Sequence, residues 1–169
     1  LTQRQRGRGA ALLDQFQLDM GKDIDHAALG CRPGGVLVPV RDINTLRQLD
    51  WVLDQPDSAA RDVVVLTVRV IGPGQQGTTD DQVFSAYEQQ LFTRVVSVAE
   101  RHGRRVLLLV APGANVFDAL AQAAVRLRSG SIVVGESEVM TPERQALLLG
   151  EAWDRTPHDL ELSTRFVVL

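Results

Sequence analysis

Cysteine is almost absent from the sequence, since Cys31 is the only one among 169 residues. A single thiol cannot close an internal disulfide, which excludes a disulfide-built scaffold and is typical of a reducing compartment. The three histidines, at positions 26, 102 and 158, lack metal-ligand spacing, and no G-x-S-x-G nucleophile motif occurs. We therefore expect no metal centre and no catalytic residues, so the chain is predicted not to be an enzyme.

Long hydrophobic runs and a strong excess of either charge are also missing. No apolar run approaches the roughly 20 residues that a membrane-spanning helix needs. The formal net charge is −3, which gives no general attraction to nucleic acid or to anionic lipid. Hydrophobic residues make up 44% of the chain, a balance that is typical of one globular domain with a full core.

Residues 1–34 differ in pattern from the rest of the chain. Three arginines alternate there with polar residues and glycine: Arg4, Arg6 and Arg8. Four apolar residues at helical spacing then predict a short amphipathic helix: Leu12, Leu13, Phe16 and Met20. The sequence begins at Leu1 and ends in an apolar run, so we expect it to be part of a longer protein.

From Gly35 onward, apolar segments alternate with capped amphipathic segments. The apolar segments predict strands at 36–40, 63–70, 106–110, 132–134 and 160–169. Helices are predicted after four cap residues: Asn44, Thr79, Asn115 and Thr141. Because residues 63–66 are all apolar, their strand is expected to be buried on both faces, as in a parallel sheet. The pattern predicts an α/β fold, a doubly wound open sheet of about five parallel strands with helices on both faces.

A glycine-rich stretch, Gly72 to Gly77, matches the G-x-G-x-x-G pattern of dinucleotide-binding loops. In that motif the helix begins within the glycines, so that its N-terminus faces the phosphates. Here a predicted capping box, Thr79 with Gln82, begins the helix later, and Asp80 and Asp81 in its first turn would repel phosphate. We interpret the stretch as a surface loop.

Two sets of segments resemble known families. The strand Val36-Leu-Val-Pro-Val40, the helix after it and the strand at 63–70 resemble the opening of universal stress proteins. Later segments resemble the cytoplasmic C-terminal domain of bacterial amino-acid permeases of the amino acid–polyamine–organocation family. These segments are YEQQLFTRVV at 87–96, AERHG at 99–103, ANVFDA at 114–119, IVVG at 132–135 and QALLLGEAW at 145–153.

The resemblance to universal stress proteins implies strand order 3-2-1-4-5 and a nucleotide pocket at the ends of strands 1 and 4. Transferred residue by residue, that pocket comprises six positions: Pro39, Arg41, Asp42, Gly135, Ser137 and Gly150. The chain departs from the family pattern, because Arg41 replaces an acid, Glu138 replaces the second glycine of the phosphate loop, and Glu151 replaces a hydroxyl residue. Glutamates beside phosphate are unfavourable, so we expect weak or absent nucleotide binding and no tightly bound cofactor.

The permease resemblance implies a non-catalytic regulatory or dimerisation domain of an amino-acid transporter, at the cytoplasmic face of the bacterial inner membrane. Residues 1–34 would then be a juxtamembrane helix and linker, and 35–169 the universal stress protein-like domain. The expected partners are a second copy of the chain, which forms a homodimer, and the membrane-embedded part of the same full-length chain, with no nucleic acid. The alternative is a nucleotide-binding sensor domain for ATP, AMP or a cyclic dinucleotide.

Overall fold

A computed structural model describes residues 30–71 and 84–169 of the chain. Five strands lie in these ranges: β1 (Val36–Pro39), β2 (Val63–Val70), β3 (Leu107–Gly113), β4 (Ser131–Val134) and β5 (Arg165–Val168). Four α-helices lie between them: α1 (Arg47–Asp54), α2 (Ala86–Arg101), α3 (Val116–Leu127) and α4 (Pro142–Arg155), with a short 3-10 helix at Ser58–Ala60. The predicted helix within residues 1–34 and the glycine-rich stretch at 72–77 lie outside the described residues.

The strands form one parallel sheet in the order β3-β2-β1-β4-β5, which confirms the predicted topology. Its longest pairing joins β2 to β3 from Val64↔Leu107 to Val70↔Gly113. The consecutive apolar residues 63–66 of β2 are all buried, as expected for a strand that is covered on both faces.

A separate hydrophobic core covers each face of the sheet. Helices α1 and α2 cover one face, where Leu49 and Phe92 are fully buried against alternate strand residues such as Val38. Helices α3 and α4 cover the other face, where Leu127 and Leu149 pack. The chain therefore changes face between the second and third crossover, which makes the sheet doubly wound.

Two of the predicted helix starts are confirmed. The Asn115 carboxamide oxygen accepts the backbone N–H groups of Phe117 at 2.9 Å and Asp118 at 3.2 Å. The Thr141 hydroxyl accepts the backbone N–H of Arg144 at 3.2 Å. Each cap satisfies amides that the first helical turn leaves without a partner.

The start of α1 was predicted wrongly. Asn44 does not cap this helix, since the N-cap position is Leu46. The Asn44 backbone N–H donates to the Asp42 carboxylate at 2.8 Å in a turn before the helix. The helix begins at Arg47, and the residue before it makes no side-chain capping hydrogen bond to the first turn.

The start of α2 also differs from the prediction. The helix begins at Ala86, where Ser85 and Glu88 form a complete capping box, with the Glu88 N–H donating to the Ser85 hydroxyl at 3.1 Å. The predicted cap at Thr79 lies outside the described residues. Thr79 and Ser85 are each a hydroxyl residue that is followed three residues later by a glutamine or a glutamate. The sequence pattern alone therefore does not show which of the two begins the helix.

Strand β5 is shorter than predicted. Leu160 is fully exposed, and a turn in which the Leu162 N–H donates to the Asp159 carbonyl at 3.0 Å precedes the strand. The alternating apolar and polar residues that begin at Leu160 therefore belong to a turn on the surface, and not to a strand that starts at residue 160.

Candidate site at the crevice between the first and fourth strands

The polar crevice of this fold lies where β1 and β4 separate. The two strands pair at Val36↔Ser131 and Leu37↔Ile132, and that pairing does not continue to their carboxyl ends. The helix after β1 covers one face and the helix after β4 covers the other, so this is the topological switch point where open α/β sheets bind ligands. We call the space between residues 39–42 and 135–137 the crevice.

The side chain of Gln48 occupies the crevice. Gln48 is only 5% exposed, and its Nε2 donates to the Pro39 carbonyl at 3.0 Å. A Cβ atom placed on Gly135 would lie 2.9 Å from the Gln48 Oε1 atom. The absence of a side chain at Gly135 therefore makes room for the Gln48 amide, and no phosphate is needed to explain this glycine.

A second buried glutamine holds the loop after β4. Gln145 of α4 donates from Nε2 to the Gly135 carbonyl at 3.0 Å, and its Oε1 accepts the Ser137 N–H at 3.0 Å. One side-chain amide thus satisfies two backbone groups of the loop, and Gln145 itself is buried.

Other backbone amides of this loop are also engaged within the chain. The Glu136 N–H donates to the Leu169 carbonyl at 2.6 Å, and the Val139 N–H donates to the Ser137 hydroxyl at 3.1 Å. A phosphate-binding loop needs backbone amides that point at the ligand and are free to donate. Three of the four amides of the segment 136–139 already have acceptors, so most donors of the loop are engaged.

Not all of the sequence-predicted site residues meet in the crevice. Pro39, Gly135 and Ser137 are brought together through the two glutamines. Arg41 and Asp42 follow β1 but are exposed, and the Arg41 backbone carbonyl accepts the hydroxyl of Tyr87.

Gly150 lies inside α4, and a Cβ atom built on it would meet no atom within 4 Å outside its own helix. The pattern of the universal stress proteins places this glycine in a phosphate loop, where its backbone N–H must be free to bind the ligand. The N–H of Gly150 is in a helix interior instead, where it already donates to the carbonyl one turn earlier.

Sequence reasoning missed both glutamines. Gln48 precedes Leu49 on the buried side of α1, and a polar residue among core positions of a helix is the signal that could have indicated it. Gln145 likewise is one of the three buried residues of α4. The acceptors that these amides satisfy are backbone groups of distant segments, which no local pattern reveals.

A partly buried ion pair lies near the carboxyl end of β2. The Arg69 guanidinium donates from Nε to Glu88 Oε2 at 3.0 Å, and a second bond joins Arg69 to Glu88 Oε1. The Ser85 backbone N–H donates to the same carboxylate at 2.8 Å. Burial by itself raises the pKa of Glu88, but the Arg69 and Ser85 hydrogen bonds and the Arg69 charge outweigh it, so the pKa lies below its ordinary value.

Two further features of the described ranges bear on function. The residues described contain no group of three or more His, Cys, Asp and Glu side chains that could hold a metal ion. No helix in the described parts of the chain combines the length and hydropathy that crossing a membrane requires.

Comparison with known proteins supports the fold. No protein-family model matches the chain. A search of curated proteins finds no match either. Among solved structures, a universal stress protein in complex with cAMP is similar, with a TM-score of 0.54 and 17% identity over 81% of this chain and 96% of that chain. The chain therefore has a universal stress protein-like fold, and an identity this low shows the fold alone.

Proposed function

We propose that this chain is a non-catalytic regulatory or dimerisation domain of an amino-acid transporter. The observation that carries the proposal is the filled crevice, where Gln48 covers Gly135 and Gln145 satisfies the loop after β4. A site whose polar groups are satisfied by the chain itself has little to offer a substrate, since each bond to a ligand would replace an existing one.

The assignment of the domain to a transporter rests on the sequence. Five segments between residues 87 and 153 resemble the cytoplasmic domain of bacterial amino-acid permeases, and Arg4, Arg6 and Arg8 match the positive charge expected just inside a last membrane span. We propose that the domain lies at the cytoplasmic face of the bacterial inner membrane, beside the membrane-embedded part of the same full-length chain.

The alternative is a nucleotide sensor, and the cAMP complex of the similar structure is the observation that favours it. In this chain a nucleotide in the crevice would have to displace the Gln48 amide from the Pro39 carbonyl and face Glu136 and Glu138. Displacing a satisfied buried amide and bringing phosphate beside carboxylates both cost free energy.

A calorimetric titration separates the two functions. We expect no saturable heat when the chain is titrated with ATP, AMP, cAMP or a cyclic dinucleotide up to about 1 mM, since even that affinity corresponds to only about 4 kcal/mol. The universal stress protein that was solved with cAMP is the positive control in the same buffer. Micromolar binding of any nucleotide by this chain would contradict the proposal and favour the sensor.

We also propose a homodimer that forms through β5. This strand lies at an edge of the sheet, and the N–H groups of Arg165 and Leu169 donate inward to the carbonyls of Gly130 and Val134. The alternate residues Phe166 and Val168 therefore direct their backbone groups outward, where no described residue pairs with them, and an apolar edge of this kind favours pairing with another strand.

Light scattering tests the dimer. We expect the chain to have twice its monomer mass, and a Val168→Pro variant to have the monomer mass, because proline removes one outward-facing donor. Far-ultraviolet circular dichroism checks that the variant keeps its fold. A monomeric wild-type chain at high concentration would contradict this part of the proposal.

A further inference from the structure

A small cleft opens between α1 and the amino ends of β1, β4 and β5, and we call it the α1–β5 cleft. Its floor is a row of three residues in register across these strands, since Val36 pairs with Ser131 and Ser131 with Arg165. Paired residues of a parallel sheet direct their side chains to the same face, about 5 Å apart. The three side chains therefore lie side by side on the face that α1 covers, at the end of the sheet opposite to the crevice.

Ser131 carries a buried hydroxyl group without a hydrogen-bond partner. Ser131 is only 4% exposed, and its hydroxyl makes no hydrogen bond with any residue that the structure describes. Buried polar groups in proteins are nearly always hydrogen-bonded, and one that is not costs free energy. Because Ser131 lines the α1–β5 cleft, its hydroxyl is placed to donate to a molecule that enters from solvent.

Three charged residues line the α1–β5 cleft, and one of them has no partner of opposite charge. Arg61 pairs with Asp57 at the wall beyond the end of α1. Arg165 forms no ion pair within the described ranges 30–71 and 84–169. The α1–β5 cleft thus places one unpaired guanidinium beside the unpartnered hydroxyl of Ser131.

Other acids at this end of the sheet are engaged by other residues. Asp50 and Asp54 of α1 contact the two ring nitrogens of His102, at 3.1 Å and 3.3 Å. Asp62 pairs with Arg32 at 2.9 Å. The surroundings are therefore close to neutral, and the unpaired charge is a single local one, which favours a small monoanion over a polyanionic surface.

The size and chemistry of the α1–β5 cleft suit a carboxylate group. The cleft encloses about 40 Å³, about three times the space that one water molecule needs, which leaves room for a carboxylate and a few carbon atoms. A guanidinium donates two parallel N–H groups to the two oxygens of a carboxylate. Trp51 and Val36 offer apolar contacts to the carbon atoms, and Asp57 would repel a doubly charged phosphate more than a singly charged carboxylate.

We propose that the α1–β5 cleft binds a small organic carboxylate, whose oxygens accept from the Arg165 guanidinium and the Ser131 hydroxyl. This site is separate from the crevice, and it depends neither on nucleotide binding nor on the assignment to a transporter. Because the ligand supplies the acceptor that the buried hydroxyl lacks and joins β5 to β4, its binding stabilises the folded chain by mass action.

The test is a titration of the 169-residue chain with sodium propionate, followed through backbone amide signals in two-dimensional NMR. We expect the signals of Ser131 and Arg165 to shift and to saturate at millimolar concentration, the range for so small a ligand. Arg165→Gln should weaken binding about tenfold or more, because it removes the charge and the paired donors. Sodium phosphate at the same ionic strength should produce no saturable shift of these signals.

The same titration with alanine distinguishes an amino acid from a simple acid. Alanine has the carboxylate and the carbon skeleton of propionate with an added ammonium group, which the Asp57 carboxylate would attract. Tighter binding of alanine would support an amino acid as the ligand, and tighter binding of propionate would support a simple carboxylic acid. Both results keep the proposal.

Two further variants separate binding from folding. Arg144→Gln makes the same change in charge at an exposed position of α4, on the other face of the sheet, and should bind propionate like the wild type. Ser131→Ala should weaken binding about fivefold, yet unfold at an equal or higher urea concentration than the wild type, because its hydroxyl has no partner to lose.

Four results would each overturn the inference. They are the absence of saturable shifts with both propionate and alanine, equal binding of phosphate, equal weakening of binding by Arg144→Gln and Arg165→Gln, and a clear loss of stability in ligand-free Ser131→Ala.

Discussion

A Gly35→Ala variant is expected to lose about 3 kcal/mol of unfolding free energy, in the upper range for an overpacked site. A Cβ atom at this position would lie 2.5 Å from the Asp62 backbone carbonyl. That carbonyl accepts the Val36 N–H at 2.8 Å, and the Gly35 carbonyl accepts the Gly130 N–H at 2.8 Å. The clash is with backbone at the start of the central strand, so relief requires β1 to move away from β2.

The measurement is the free energy of unfolding in urea, monitored by circular dichroism, with Gly150→Ala as the matched control. Gly150 lies inside α4 with open space around its Cβ position, so the same substitution there should stabilise the fold by about 0.5–1 kcal/mol. Opposite signs for the two variants would support the packing argument. Equal effects of the two substitutions would show that close contact with the Asp62 carbonyl is not the reason for a glycine at position 35.

A Glu88→Ala variant is expected to lose about 2–3 kcal/mol of unfolding free energy at pH 7. It removes the acceptor of the Ser85 N–H, which closes the capping box of α2, and it leaves the partly buried Arg69 without this carboxylate. Glu88→Gln keeps an oxygen for the Ser85 N–H but removes the charge, so its loss should be smaller. The difference between the two variants separates the cap from the ion pair.

The contribution of Glu88 should depend on pH. Its pKa is lower in the folded chain than the ordinary value of about 4.3, so the folded state favours the charged form. The stabilisation is therefore fully present above about pH 4.3 and is lost as the pH falls through the lower, folded-state pKa. We expect the stability gap between wild type and Glu88→Gln to be constant near neutral pH and to shrink in acid; a gap that widened in acid would contradict the assignment.

The outline of the fold could be predicted because its signals are local. Consecutive buried residues such as Val63–Leu66 predict a parallel strand, and caps such as Asn115 and Thr141 predict helix starts.

The two helix starts that failed have different causes. Helix α1 begins after Leu46 without a side-chain cap, so the nearby Asn44 was a misleading signal. Helix α2 begins at the capping box of Ser85 and Glu88, six residues after the cap predicted at Thr79.

Pro39 and Gly135, two of the predicted site residues, lie at neighbouring strand ends, where Gln48 of α1 contacts both of them. Their part in binding a nucleotide is still a prediction. The role of Glu138 as an obstacle to phosphate is still a prediction. The occupant of the crevice, Gln48, could not be predicted, because a glutamine on a helix has no local pattern that says which distant backbone groups its amide will meet.

Hydrophobic periodicity and capping residues in the sequence by themselves determined that this chain forms alternating strands and helices with a doubly wound parallel sheet. Only the tertiary structure decided that Gln48 fills the crevice and that Gln145 satisfies backbone groups of the loop after β4. The physical reason is the distance along the chain over which each effect acts. Secondary structure is set by neighbours within a few positions, whereas these side-chain hydrogen bonds join segments that meet only after the sheet has formed.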